Sequence, residues 1–155
     1  YLLNRRLENI RTTVYRQTMF ASFEREVHGR AADGRETTPD ALRDLWYELN
    51  RKYYGPNIVV DEDLKMEWAR IPHFYNPFYV YQYATGFSAA TAIAGLILEK
   101  GREARDKYLE FLSMGGSDYP IELLKMAGVD MSTPKPVKEV VKIFNMTLDE
   151  MEKLL

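Results

Sequence analysis

From Asn76 to Gly101 the chain reads as one long helix with almost no polar face. Asn76-Pro77 offers a capping side chain followed by a proline at the first helical position, and Gly101 supplies the stop after Lys100. A helix that is apolar nearly all round must be surrounded, so the segment predicts a central element that the rest of the chain covers. Ala84, Gly86, Ala89, Ala90, Ala92, Ala94 and Gly95 keep its surface small and let neighbouring backbones approach closely. The apolar run Ala89 to Leu98 is too short to span a bilayer.

The helices expected around it follow from periodicity. Leu3, Leu7, Ile10, Val14, Phe20, Phe23 and Val27 recur at spacings of three, four and six, which gives one face of a long first helix closed near Gly29. Arg5, Arg6, Arg11, Arg16, Glu24 and Arg25 fall outside that face and read as solvated. Thr38-Pro39 starts a second helix whose buried stripe is Leu42, Leu45, Trp46, Leu49 and Tyr53. Gly55-Pro56-Asn57 ends it, Ile58 to Asp61 is extended, and Leu64 to Trp68 is a helical turn or two. Arg102 to Met114 forms a further helix with Tyr108, Leu109, Phe111 and Leu112 inward, followed by a short one from Tyr119 to Gly128. Thr133-Pro134 opens another through Val137, Val140, Val141 and Phe144, and the capping box Thr147-Leu-Asp-Glu150 begins the last. No strand pair or repeat is visible. The expected class is all-α, a multi-helix array, with residues 1–155 forming a single helical domain.

Composition removes several functions. The chain's 155 residues carry a formal charge of −2, which gives no footprint for nucleic acid or an anionic membrane. With no cysteine there is no disulfide framework, thiolate metal site or cysteine nucleophile, and a reducing compartment such as the cytoplasm is compatible. No secretory leader is visible in Tyr1-Leu-Leu-Asn-Arg-Arg, and an amphipathic helix is already under way there, so the sequence reads as a piece of a longer chain. His28 and His73 lie in different predicted elements and no His-Glu-x-x-His pair occurs. Ser88 lacks the surroundings of a nucleophile elbow. By itself the chain shows no complete active site.

What remains is the stretch before the central helix. Between His73 and Tyr83 the chain places one histidine, two phenylalanines and four tyrosines, Tyr75, Tyr79, Tyr81 and Tyr83. A phenol stays neutral at pH 7 and can donate a hydrogen bond. Tyr79, Tyr83 and Gly86 follow i, i+4, i+7, so they share one helical face, with Tyr81 pointing elsewhere. Pro72 and Pro77 restrict the His73 segment. Two readings are open: a wall of phenols with a glycine notch that donates to a peptide carbonyl or its oxyanion, or core aromatics whose hydroxyls are tucked against backbone carbonyls.

Several segments resemble the C-terminal part of the oligoendopeptidase F branch of the thimet-oligopeptidase-like zinc metallopeptidases, family M3. They are Arg16-Gln-Thr-Met-Phe-Ala-Ser-Phe-Glu24, Tyr53-Tyr-Gly55, Glu67-Trp68, Arg70-Ile-Pro-His-Phe-Tyr75, Phe78-Tyr-Val-Tyr-Gln-Tyr-Ala-Thr-Gly86 and Gly115-Gly-Ser-Asp-Tyr-Pro-Ile-Glu-Leu-Leu-Lys125, with Ala127-Gly-Val-Asp-Met131. They span nearly the whole chain in the family's order. The resemblance implies the C-terminal portion of a metalloendopeptidase that hydrolyses short oligopeptides in a deep channel. It implies zinc in the full-length enzyme, held by an upstream His-Glu-x-x-His and a further glutamate, with no metal ligand in this chain. It also implies catalytic roles for His73, Tyr79 and Tyr83, which would bind substrate and stabilise the tetrahedral intermediate, and substrate-binding roles for Tyr75, Tyr81 and Gly86. Expected partners are oligopeptides and the upstream portion of the same enzyme, with neither nucleic acid nor membrane; the isolated chain is expected to be inactive. A non-catalytic helical module that binds peptides or another protein is the other reading.

Overall fold

Every regular element of the computed structural model is helical among the described residues, 1–154. The order is α1 (Leu2–Ile10), a π-helical turn (Arg11–Tyr15), α2 (Arg16–Ala32), α3 (Pro39–Tyr54), two 3-10 segments (Glu62–Arg70 and Pro72–Tyr75), α4 (Tyr81–Lys100), α5 (Arg102–Ser113), α6 (Pro120–Met126) and α7 (Lys135–Glu152). The all-α expectation holds. No helix is long and apolar enough to cross a membrane among the described residues.

The chain divides into two compact units: Tyr15–Ala84, and Tyr1–Val14 together with the chain from Thr85 onward. The first is built on an aromatic core. Trp46 is fully buried, with the rings of Phe23 at 5.0 Å, Phe20 at 5.3 Å and Phe74 at 6.2 Å. Met19, Leu45, Ile71 and Val80 complete the cluster. Helix α3 starts as its sequence dictates, with the Thr38 hydroxyl accepting the Ala41 amide at 3.4 Å and Pro39 in the first turn. In the second unit α1 packs along α7, and α5 packs on α6. Ala89, Ile93, Ala127 and Val129 form its buried centre, with Tyr108 and Phe111 against it.

Several expectations are corrected. The first helix carries a π turn at Arg11–Tyr15, which explains the six-residue step from Val14 to Phe20: a turn with an extra residue rotates the apolar stripe. Helix α4 begins at Tyr81, not at Pro77, because Phe78 takes φ = 59°, a left-handed conformation that cannot continue a right-handed helix. Nor is α4 buried all round. Only Ser88, Ala89 and Ile93 are buried in it, and Leu98 is 89% exposed, since the described chain supplies neighbours to one face only. Finally, Lys135–Glu152 is one uninterrupted helix in which the Thr147 hydroxyl donates back to the Ile143 carbonyl at 2.7 Å, so it caps nothing. The Thr133 hydroxyl likewise donates to the Asp130 carbonyl and leaves the start of α7 without a side-chain cap. Leu109 and Leu112, expected inward, are exposed.

Candidate functional site

The segment from Arg70 to Tyr83 lies within the unit Tyr15–Ala84 and is fixed at both ends by burial. Ile71 and Val80 sit in the aromatic core, and Phe74 packs against it between them. The prolines and local bonds then decide the path. Pro72 opens the short 3-10 turn, the Phe74 amide donates to the Ile71 carbonyl at 3.3 Å, and the Asn76 amide donates to that of His73 at 3.0 Å. After Phe78 the amides of Gln82 and Tyr83 donate to the carbonyls of Tyr79 and Val80, at 3.2 and 3.3 Å, and start α4.

This path brings His73, Tyr79 and Tyr83 together. The Tyr83 hydroxyl lies 3.2 Å from His73 Nε2, a bond in which either group donates according to the imidazole tautomer. Tyr79 stacks on the imidazole at 5.8 Å between centroids, and Tyr83 meets Tyr79 edge-on at 5.5 Å. Both phenols keep 36% of their surface exposed, so they form a wall that is accessible to a ligand. Hydrogen bonding with Tyr79 and partial burial push the Tyr83 phenol above its ordinary pKa of 10.0. It therefore remains a neutral donor throughout the physiological range.

The other three expected residues stand elsewhere. Tyr75 is 84% exposed and lines a separate hollow with Phe23, Val27, His28 and Trp68. Tyr81 is on the surface at the start of α4. Gly86 belongs to the other unit, where it borders an apolar hollow with Ala89, Ala90, Ile93, Tyr108 and Phe111. Because Tyr79 precedes the first turn of α4, the i, i+4, i+7 face does not exist as a helical face. Tyr79 and Tyr83 meet through the turn at Val80 instead.

Two supports were not anticipated. Glu24 is only 4% exposed, and its carboxylate accepts the Phe78 amide at 2.7 Å. Its place was legible, since Phe20, Phe23, Glu24 and Val27 follow i, i+3, i+4, i+7 and put the carboxylate on the apolar face. Glu67, also buried, accepts from Arg16 at 2.6 Å and from Arg70 at 2.8 Å, while Arg16 lies over the Phe20 ring. The segment that leads into His73 is thereby tied to α2. Arg16 and Glu24 are thus not part of a solvated face.

A metal finds no seat among these groups. No cluster of three or more histidine, aspartate or glutamate side chains is placed to hold an ion among the described residues, and His73 Nε2 already faces a phenol. The arrangement instead suits hydrogen-bond donation to a carbonyl oxygen.

A sequence profile described as peptidase family M3 matches residues 1–143. The chain is 52% identical over its full length to oligopeptidase PepF of Bacillus subtilis (strain 168), covering 23% of that protein. It is 45% identical over 99% of its length to the plasmid oligoendopeptidase F of Lactococcus lactis subsp. cremoris, covering 26% of it. The crystal structure of oligoendopeptidase-F from Enterococcus faecium matches 99% of this chain at a TM-score of 0.96 and 46% identity, over 30% of its own length. The chain thus spans about a quarter of the length of the curated relatives it matches. With the profile, the sequence relatives and the solved fold in accord, the chain belongs to peptidase family M3.

Proposed function

We propose that these residues are the C-terminal part of a longer zinc metalloendopeptidase that hydrolyses short oligopeptides in the cytoplasm. The zinc ligands and the general base belong to its upstream portion, and residues 1–155 form a single helical domain of the catalytic body. The observation that carries this reading is the His73–Tyr79–Tyr83 cluster, with Tyr83 Oη 3.2 Å from His73 Nε2. In a zinc peptidase the metal, when bound, supplies Lewis-acid activation of water and carbonyl. As the scissile carbonyl oxygen gains negative charge, a preorganised neutral donor stabilises it more than it stabilises the ground state, and that difference lowers the barrier. Tyr83 is this donor, with its hydroxyl swung from His73 to the substrate oxygen, and Tyr79 keeps it neutral. His73 orients the phenol before substrate arrives and donates to the peptide afterwards. Tyr75, Tyr81 and Gly86 contact the peptide away from the reacting bond.

The test compares the full-length protein with residues 1–155 alone on short quenched-fluorescence peptides and on a folded protein substrate. Cleavage of the peptides by the full-length protein only, with the folded substrate spared, is the expected result. Peptide binding without cleavage by the full-length protein would leave it a helical binding module, and hydrolysis by residues 1–155 alone would overturn the division of labour.

A further inference from the structure

We propose that Glu24 is a positioning residue for the reaction: by holding the Phe78 amide, its buried carboxylate keeps the backbone turn that places Tyr79 and Tyr83 beside His73. The inference rests on the reading of that cluster given above. Phe78 is the only described residue other than glycine with positive φ, at 59°. A bulky L-residue there is strained, and such a conformation persists only where its surroundings over-determine it. The surroundings are on α2. Glu24 Oε1 accepts the Phe78 N–H at 2.7 Å, and the His28 imidazole, one helical turn further on, lies 4.7 Å from the Phe78 ring at an interplanar angle of 41°. Glu24 itself is 4% exposed. A buried carboxylate is costly unless it is bonded, so its presence on an apolar face calls for a task.

The geometry says what the task is. Phe78 directly precedes Tyr79 and separates the 3-10 turn bearing His73 from the helix bearing Tyr83. Were φ at Phe78 to relax to the right-handed region, the direction of the chain between His73 and Tyr79 would change. The 3.2 Å approach of Tyr83 to His73 Nε2 depends on that direction. A short, charge-assisted bond to the amide of the strained residue is the local interaction best placed to prevent the relaxation.

The test uses the full-length enzyme with Glu24→Gln, which keeps an acceptor oxygen, and Glu24→Met, of similar length without one. The expected result is a kcat within about threefold of wild type for Glu24→Gln and a loss of tenfold or more for Glu24→Met, with little change in KM. In a Tyr83→Phe background the Glu24→Met loss should largely vanish, because both changes act through one hydroxyl. Glu24→Met that leaves kcat unchanged, or that multiplies fully with Tyr83→Phe, would overturn the inference. A Tyr83→Phe single variant with wild-type kinetics would instead overturn the role of the cluster, so the two failures are told apart. If Glu24→Met does not fold, hydrogen exchange of the wild-type protein decides. The Phe78 amide should exchange far more slowly than that of Val59, a residue 95% exposed in the segment after α3, and equal rates would overturn the proposal.

Discussion

Replacing Trp46 by alanine should remove the platform on which the His73 segment is built. The indole is fully buried and meets three rings, those of Phe23, Phe20 and Phe74, at 5.0, 5.3 and 6.2 Å. Truncating a buried tryptophan costs about 3–5 kcal/mol through lost transfer energy and the cavity left behind. One term acts the other way: the indole Nε1–H is buried and finds no hydrogen-bond partner among the described residues, so its removal returns about 1 kcal/mol of desolvation cost. The expected net loss is therefore near the lower end, about 3 kcal/mol. Trp46→Phe keeps the six-membered ring and sheds the orphan donor, so it should cost clearly less than Trp46→Ala. Urea unfolding followed by far-ultraviolet circular dichroism measures both, and comparing midpoints at constant slope isolates stability. A Trp46→Ala loss under about 1 kcal/mol, or equal losses for the two variants, would refute the view that aromatic packing holds this unit together.

Other outcomes follow from the same structure. Tyr83→Phe in the full-length enzyme should lower kcat about a hundredfold with little effect on KM or folding, measured by steady-state peptide cleavage. Because the Tyr83 pKa is raised, its proton is lost only above the ordinary value of 10.0; Tyr79→Phe should move that loss to lower pH, read from phenolate absorbance. Thr38→Ala should cost about 1 kcal/mol as a lost cap, whereas Thr147→Val should be nearly neutral, in the same unfolding assay. Hydrogen bonds from Arg30 and then Arg35 lower the Glu26 pKa below 4.5, so its contribution is complete above that pH and fades as pH falls through the lowered value. Molar salt should flatten this dependence, as seen by thermal melts from pH 7 to 3.

The helices were legible where local chemistry and packing agree. Thr38-Pro39 and the Leu45/Trp46 stripe specify α3 in the sequence and in space. Asn76-Pro77 carried the same cap-and-proline signal yet opened no helix, because the Glu24 bond to the Phe78 amide, across more than fifty residues of chain, holds a turn that no local propensity encodes. The cluster itself shows the same divide. His73 and the tyrosines stand out by density, and the resemblance of their segment to the M3 peptidases points to a site. Which tyrosines meet the imidazole depends on that turn, and it selects Tyr79 and Tyr83 while leaving Tyr75 and Tyr81 at the surface. Thr147-Leu-Asp-Glu150 misled for a related reason. A capping box is favourable only where a helix has an end, and the buried Val140 and Thr147 on one face of α7 keep that helix running through it.

In the proposed reaction His73, Tyr79 and Tyr83 face the reacting carbonyl of a bound peptide. A crystal structure of the full-length protein with a phosphinic peptide, whose tetrahedral phosphorus and its oxygens stand in for the attacked carbonyl, tests it most directly. Tyr83 Oη is expected within hydrogen-bond distance, about 2.6–3.0 Å, of a phosphinyl oxygen, with His73 on the same peptide. A phosphinyl group bound far from this cluster, with the Tyr83–His73 bond intact, would contradict it.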